Sequence, residues 1–230
     1  MENLKTAPEQ EPDILSSRVQ RRSFLKFAGA GAAGIALVAA GCKKTDNYRG
    51  AYFGNGDTAI LNYAYALEQL EAAFYTAVIA TPYTGISDNE RSLLTDIRDH
   101  EIAHREFFKT AIGRNDAIED LEVDFTTINF TSRDSVLATA KAFEDLGVSA
   151  YNGAGRLIKN ADYLTLAGKI VSVEARHAAL IRDLISNGSF ADMTVIDAMG
   201  LDKSRSPSEV LAIAGAYIKT PINTQDLPTY

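Results

Sequence analysis

One cysteine, Cys42, stands in the whole chain, so an intrachain disulfide is excluded. No thiol lies beyond it, and any chemistry in the following residues must come from carboxylates, imidazoles and tyrosines. Positive charge is also in short supply. Lys and Arg number 23 against 30 Asp and Glu, for a net charge of −7, with no basic cluster; nucleic acid is therefore not an expected partner. A run of membrane-spanning length is missing too, because residues 27–41 are short, Ala/Gly-rich and only weakly apolar. Histidine is scarce as well, at three residues. Two of those three close the same pattern, Glu101-Ile102-Ala103-His104 and Glu174-Ala175-Arg176-His177.

The first 42 residues read as an address. Gln20-Arg21-Arg22-Ser23-Phe24-Leu25-Lys26 has the form of a twin-arginine export signal, with Gln20 where Ser or Thr is usual. The run 27–41 suits its apolar region, and Ala39-Ala40-Gly41-Cys42 has the form of a lipoprotein cleavage box, with Ala39 where Leu is commonest. The expectation is export by the twin-arginine route to the periplasm or cell envelope, with attachment to a membrane through a lipid on Cys42. The competing reading is a free cysteine after an ordinary cleaved signal. About 190 residues follow, enough for one domain with a full core. Residues 43–56 read as a flexible tether, 57–220 as the domain and 221–230 as a C-terminal tail.

Within the domain, helical periodicity and stop signals predict four long helices. The first covers residues 57–80, with Asp57 as N-cap and Thr81-Pro82 as stop. The second opens at Ser87-Asp88-Asn89-Glu90, a capping-box spacing, and ends near Gly113. Residues 114–130 break the pattern and have extended character. The third helix runs from about 131–134 to about 159, and the fourth from about 162 to 186, closed by Asn187-Gly188. Ser206-Pro207-Ser208-Glu209 starts a short fifth helix. Short turns inside each pair and one long link between pairs predict an all-α bundle of two hairpins joined by a crossover.

Glu-x-x-His on a helix sets a carboxylate and an imidazole on one face. Upstream helices supply Glu68 and Glu71, and Glu144 and Asp145. Glu68 precedes Glu101 by 33 residues and Glu144 precedes Glu174 by 30, so each half repeats one plan. Tyr75 and Tyr151 follow Glu68 and Glu144 by seven residues, which on a helix returns to within about 20° of the same direction. Each tyrosine is thus expected to flank the glutamate of its own helix, as core filler or as a hydrogen-bond donor to a ligand carboxylate. Two such half-sites form the donor set of a di-metal carboxylate centre between four helices. Its hard donors suit iron or manganese and disfavour soft metals. Glu71 can replace Glu68, support it, or lie on the surface in an ion pair. His100 points about 100° from Glu101, towards a surface or supporting role.

These segments resemble the ferritin-like superfamily, and within it the exported bacterial ferritin-like-domain proteins related to desiccation-associated proteins. The resemblance rests on residues 67–75, on His100-Glu101-Ile102-Ala103-His104, on Phe143-Glu144-Asp145 with Ala150-Tyr151, and on Val173-Glu174-Ala175-Arg176-His177. It spans about residues 58–219. It implies a ferritin-like four-helix bundle whose metal ligands are Glu68, Glu101, His104, Glu144, Glu174 and His177. It further implies two metal ions, iron first and manganese second, acting on Fe(II) with O2 or peroxide as a ferroxidase or peroxide scavenger. Bacterioferritin-like members often carry Asp before the Glu of Glu-x-x-His; here those places hold His100 and Val173.

Three other readings compete. A manganese-loaded site would be catalase-like. A bundle that binds metal without turnover would be a structural or stress-protection module. His100-Glu101-Ile102-Ala103-His104 also spells a zinc-protease motif, with Glu122 or Asp124 as the third ligand it would need. The extended form of that motif fails at Phe107 and Thr110, and the zinc reading leaves Glu174 and His177 unexplained. A lipid on the tether would obstruct a closed shell, so a storage cage is not expected.

Overall fold

In the computed structural model, which describes residues 50–229, the main elements are β1 (Ala51–Tyr52), α1 (Gly56–Ala80), α2 (Asp88–Ile112), α3 (Arg133–Gly155), α4 (Ala161–Ile185), α5 (Pro207–Ala214) and β2 (Ile222–Asn223). The twin-arginine pattern and Cys42 lie outside the described residues. No helix among the described residues is long and apolar enough to cross a membrane.

Helices α1 and α2 pack as one hairpin and α3 and α4 as the other. Three capped ends fix their starts: the Ser87 hydroxyl accepts from the Glu90 amide, the Ser132 hydroxyl from the Ser135 amide, and the Asn160 side chain from the amides of Asp162 and Tyr163. The Ser87 box is only half formed. Glu90 turns instead to Arg133 and Tyr83, joining the start of α2 to the start of α3. Arg133 also donates to the carbonyl of Leu184 near the end of α4. One end of the bundle therefore gathers the α1–α2 turn, the start of α3 and the end of α4. At the other end Asp57 accepts from the amides of Lys159 and Asn160. Asp57 is thus a clamp on the α3–α4 turn rather than the N-cap expected of it; Asn55 takes the cap position without a side-chain bond. The third helix also ends earlier than expected, at Gly155, because residues 156–160 form the turn.

This arrangement obliges residues 113–132 to cross the length of the bundle, about 37 Å for a 25-residue helix. They do so along the outer side of α1. The amide of Asn62 donates to the carbonyls of Phe53 and Asp116 and accepts from the amide of Ile118. Two turns on, Gln69 accepts from Leu121 and donates to Glu119. Farther along, Phe125 and Phe130 pack on Phe74, ring centroids 6.0 Å away in each case. Extended character over 114–130 is realised as irregular chain with one antiparallel bridge, Val123 to Ile218. Covered by partner helices on one side and by the crossover on the other, α1 is buried nearly all round, including Tyr63, Tyr65 and Tyr75. α2 and α4 carry a single stripe, for example Leu94, Ile97, Glu101 and Phe108 on α2, whereas the second half of α3 is buried all round, from Leu146 to Tyr151.

The folded unit reaches past 57–220 at both ends. β1 pairs in parallel with β2, and Phe53 and Leu227 are buried in the core. The expected tether and tail therefore contribute residues 51–53 and 222–227 to the fold. The fifth helix has its full capping box, Ser206 with Glu209. It is held close to α3 at Gly153, where a β-carbon would lie 1.7 Å from the carbonyl oxygen of Arg205.

Candidate metal centre

All four long helices send carboxylates to one point. Glu68, Glu101, Glu144 and Glu174 are each fully buried, with His177 nearly so and His104 just inside the surface. The two Glu-x-x-His pairs face each other across the bundle because α2 and α4 present 101 with 104, and 174 with 177, on their inner stripes. No lysine or arginine forms an ion pair with the six side chains among the described residues, so the positive charge within the cluster itself comes from the imidazoles.

Distances sort the six into two overlapping quartets. In the first, Nδ1 of His104 lies 2.8 Å from Glu174 Oε1, 3.4 Å from Glu68 Oε2 and 3.6 Å from Glu101 Oε2. In the second, Nδ1 of His177 lies 2.8 Å from Glu101 Oε1, 3.5 Å from Glu144 Oε2 and 3.7 Å from Glu174 Oε2. Glu101 and Glu174 belong to both quartets, one oxygen to each, while Glu68 and Glu144 belong to one apiece.

None of these approaches has hydrogen-bond alignment. Glu68 Oε2, both oxygens of Glu101, Glu144 Oε2, both oxygens of Glu174 and the two Nδ1 atoms are buried without a hydrogen-bond partner. Leaving so many buried polar atoms unpaired is very costly in a protein interior. Donor atoms that converge at ligand distances without pairing are what a cation-binding cage looks like. The atoms divide evenly, three oxygens and one nitrogen to each quartet, a hard donor set suited to Fe or Mn. The buried cluster can hold metal ions.

The remaining oxygens are accounted for by tyrosine. Tyr75 of α1 donates to Glu144 Oε1 of α3 at 2.5 Å, and Tyr151 of α3 donates to Glu68 Oε1 of α1. Each tyrosine thus serves the glutamate of the opposite helix, whereas the seven-residue spacing points to the glutamate of its own. Burial, then the facing carboxylate, raises both phenols well above their ordinary range, so they remain donors.

Without cations the cluster holds protons. Burial opposes charge on His177, but the close carboxylates of Glu101, Glu144 and Glu174 outweigh it and push the imidazole up to about 12. The same contest, won by Glu101, Glu174 and Glu68, raises His104. Burial raises Glu101 well above the usual range and Glu144 to about 7. For Glu174 burial is overridden by the two imidazoles, which hold it at about 2.

Glu71 lies outside both quartets, although it is buried. Burial and the four neighbouring carboxylates raise it well above the carboxylate range. It occupies space left by Gly147, where a β-carbon would sit 3.1 Å from Glu71 Oε1. A surface position is thereby excluded. Asp145 points away from the cluster and forms a two-pronged ion pair with buried Arg182 at 2.8 and 2.7 Å.

The zinc-protease triad does not assemble among the described residues. Nδ1 of His100 faces Nε2 of His177 at 2.9 Å, Glu122 pairs with Lys219, and Asp124 accepts from Thr126. A cavity of about 180 Å³ beside Arg182, Thr194 and Arg205 lies outside the bundle and contains none of the clustered glutamates.

Compared with known families, residues 56–187 match the ferritin-like domain, from the first residue of α1 to just past the end of α4. No curated protein matches the chain. The match covers more than half of the sequence and every residue of both quartets, and the chain belongs to the ferritin-like domain family.

Proposed function

We propose that the two quartets hold two divalent cations, iron by preference, and that the protein oxidises Fe(II) with O2 or peroxide outside the cytoplasm. The observation that carries this reading is the even division of the unpaired donor atoms, with Glu101 and Glu174 offering one oxygen to each position. When bound, an iron pair supplies two electrons together, enough to reduce one peroxide, with two protons, to two waters.

The residues of the chain have separable tasks. Glu101 and Glu174 would serve both positions, since each turns one oxygen to either quartet. Glu68 and Glu144 bind at the ends, and the hydrogen bonds from Tyr151 and Tyr75 leave each with one oxygen directed inward. Four carboxylates balance the charge of two divalent cations, while the imidazoles add neutral donors. Three oxygens and one nitrogen would hold an ion at each position, and the chemistry such an ion would supply is electron transfer to an exogenous oxidant. Buried Phe74, Phe108 and Phe143, packed on Tyr75, Tyr151 and Phe74, keep bulk water from the inner face.

The enzymatic test is anaerobic loading with Fe(II), then exposure to O2 or peroxide. Oxidation should outpace buffer and fall to the buffer rate in Glu101→Ala. Release of O2 from peroxide by manganese-loaded protein, without iron oxidation, would select the catalase-like activity. Neither activity at full metal occupancy would select the non-catalytic module.

Export and anchoring are supported by Arg21, Arg22 and the Ala39–Cys42 pattern. The twin-arginine route carries folded proteins, so the centre would be filled before export. Arg21→Lys with Arg22→Lys should hold the precursor in the cytoplasm, and Cys42→Ala should release a soluble form or block processing. Membrane attachment that persists in a Cys42→Ala chain lacking residues 1–41 would refute the anchor.

A further inference from the structure

We propose that His100 is a positioning residue that orients His177 and makes the two metal positions unequal, the Glu144/His177 position being the tighter. The inference rests on the di-metal reading above and goes beyond it, since nothing in the ligand set itself distinguishes the two positions.

The geometry is specific to one half of the site. Nε2 of His177 lies 2.9 Å from Nδ1 of His100, with the two rings within 7° of parallel. Nδ1 of His177 is the atom turned to Glu101, Glu144 and Glu174. An imidazole that offers the Nδ1 lone pair to a cation carries its proton on Nε2, and that N–H needs an acceptor. Nδ1 of His100 is that acceptor, provided the proton of His100 sits on its own Nε2. A single hydrogen bond therefore fixes both the tautomer and the ring orientation of His177, as an outer partner of a metal-binding histidine does.

The other half has no counterpart. Val173 occupies the place before Glu174 that His100 occupies before Glu101, and its side chain cannot accept a hydrogen bond. Nε2 of His104 makes no hydrogen bond among the described residues, and its ring reaches solvent. Both terminal ligands of the Glu144/His177 position are thus held, by Tyr75 and His100, whereas only Glu68 is held at the other, by Tyr151. Removing freedom from a ligand before binding lowers the entropy lost on binding. Where the acceptor is a neutral imidazole, it orients His177 without adding a further negative charge to a cluster that already has four carboxylates.

The test is titration of the metal-free full chain with Mn(II), with free ion read by electron paramagnetic resonance. The wild type should bind two ions in steps separated by about tenfold or more. His100→Ala should weaken the tighter step by about 10- to 100-fold and leave the weaker one in place. His100→Asn places an amide oxygen where Nδ1 stood and should restore most of the loss. Glu144→Ala should abolish the tighter step and Glu68→Ala should retain it. Thermal melts of the metal-free variants check folding, which an exposed residue such as His100 should not disturb. The proposal is overturned if the wild type binds two ions equally, if His100→Ala changes neither step or both alike, or if Asn does not rescue. A wild type that binds no Mn(II) overturns the di-metal reading along with it.

Discussion

Glu101 and Glu174 differ from Glu68 and Glu144 in one respect, that both oxygens face the cluster. Removing one of the former should therefore empty both positions together, while removing one of the latter should leave about one ion per chain. Elemental analysis after dialysis distinguishes the outcomes, and equal loss in all four variants would contradict the sharing. The imidazoles give a second prediction. In the metal-free chain His104 and His177 hold protons at neutral pH, because their folded values are raised, in the case of His177 to about 12. A cation needs the deprotonated ring, so binding must release these protons and affinity must rise with pH, by about tenfold per pH unit for each proton displaced. Calorimetry in two buffers of different protonation heat counts the released protons; a count near zero would show that the rings are already neutral. The two Glu-x-x-His pairs were legible in the sequence because i and i+3 share a helical face and the plan repeats at spacings of 33 and 30, whereas the spacing left Glu68 and Glu71 as alternatives and the family resemblance pointed to Glu68. The tyrosine pairing was not legible. Seven-residue spacing fixes a direction around one helix, whereas the length of a tyrosine carries its hydroxyl across to the next. The same holds for His100, whose partner lies 77 residues away on α4.

Among the elements, the crossover depends on two amides that sequence patterning does not reveal. Asn62 and Gln69 sit on α1 among apolar neighbours, seven residues apart and on one face, and each imitates a peptide group to hold a chain that has no ladder of its own. Asn62→Leu would strip partners from the carbonyls of Phe53 and Asp116 and from the amide of Ile118. The expected cost is about 2–3 kcal/mol in a denaturant melt, as for buried backbone groups left unpaired. A loss below about 0.5 kcal/mol would mean that water replaces the amide. Gly153→Ala tests a second contact: the β-carbon meets the Arg205 carbonyl, so the segment before α5 must move, at a cost of about 1–3 kcal/mol. The helices themselves were readable, because capping residues such as Ser87 and Ser206 act locally. Asp57 was misread because the same short carboxylate that caps a helix can equally accept amides from a distant turn. The course of residues 113–132 along α1 was not readable, since it is set by contacts with that helix and not by any period within the link.

For the whole molecule, each hairpin supplies three donors to one quartet and one to the other, so neither quartet is complete without both hairpins. Glu68, Glu101 and His104 come from the first, Glu144, Glu174 and His177 from the second. A bound cation pair would thus cross-link the hairpins, and without it the interface buries carboxylates that depend on protons, protonated imidazoles and the two tyrosine hydroxyls. Metal should consequently stabilise the entire fold and not just the site. At a free metal concentration about 100 times the dissociation constant, each position adds about 2.7 kcal/mol. For a domain of this size 1 kcal/mol shifts the melting temperature by about 2–4 °C, so two filled positions should raise it by about 10–20 °C. Scanning calorimetry of the full chain, metal-free and loaded with Mn(II), measures the shift. Glu101→Ala should melt at one temperature whether metal is present or not, because the shared carboxylate is gone. Glu68→Ala should keep about half of the shift. If the wild type melts alike with and without metal while ions remain bound, the ions are not held between the hairpins, and the division of the donor atoms into two shared positions is wrong.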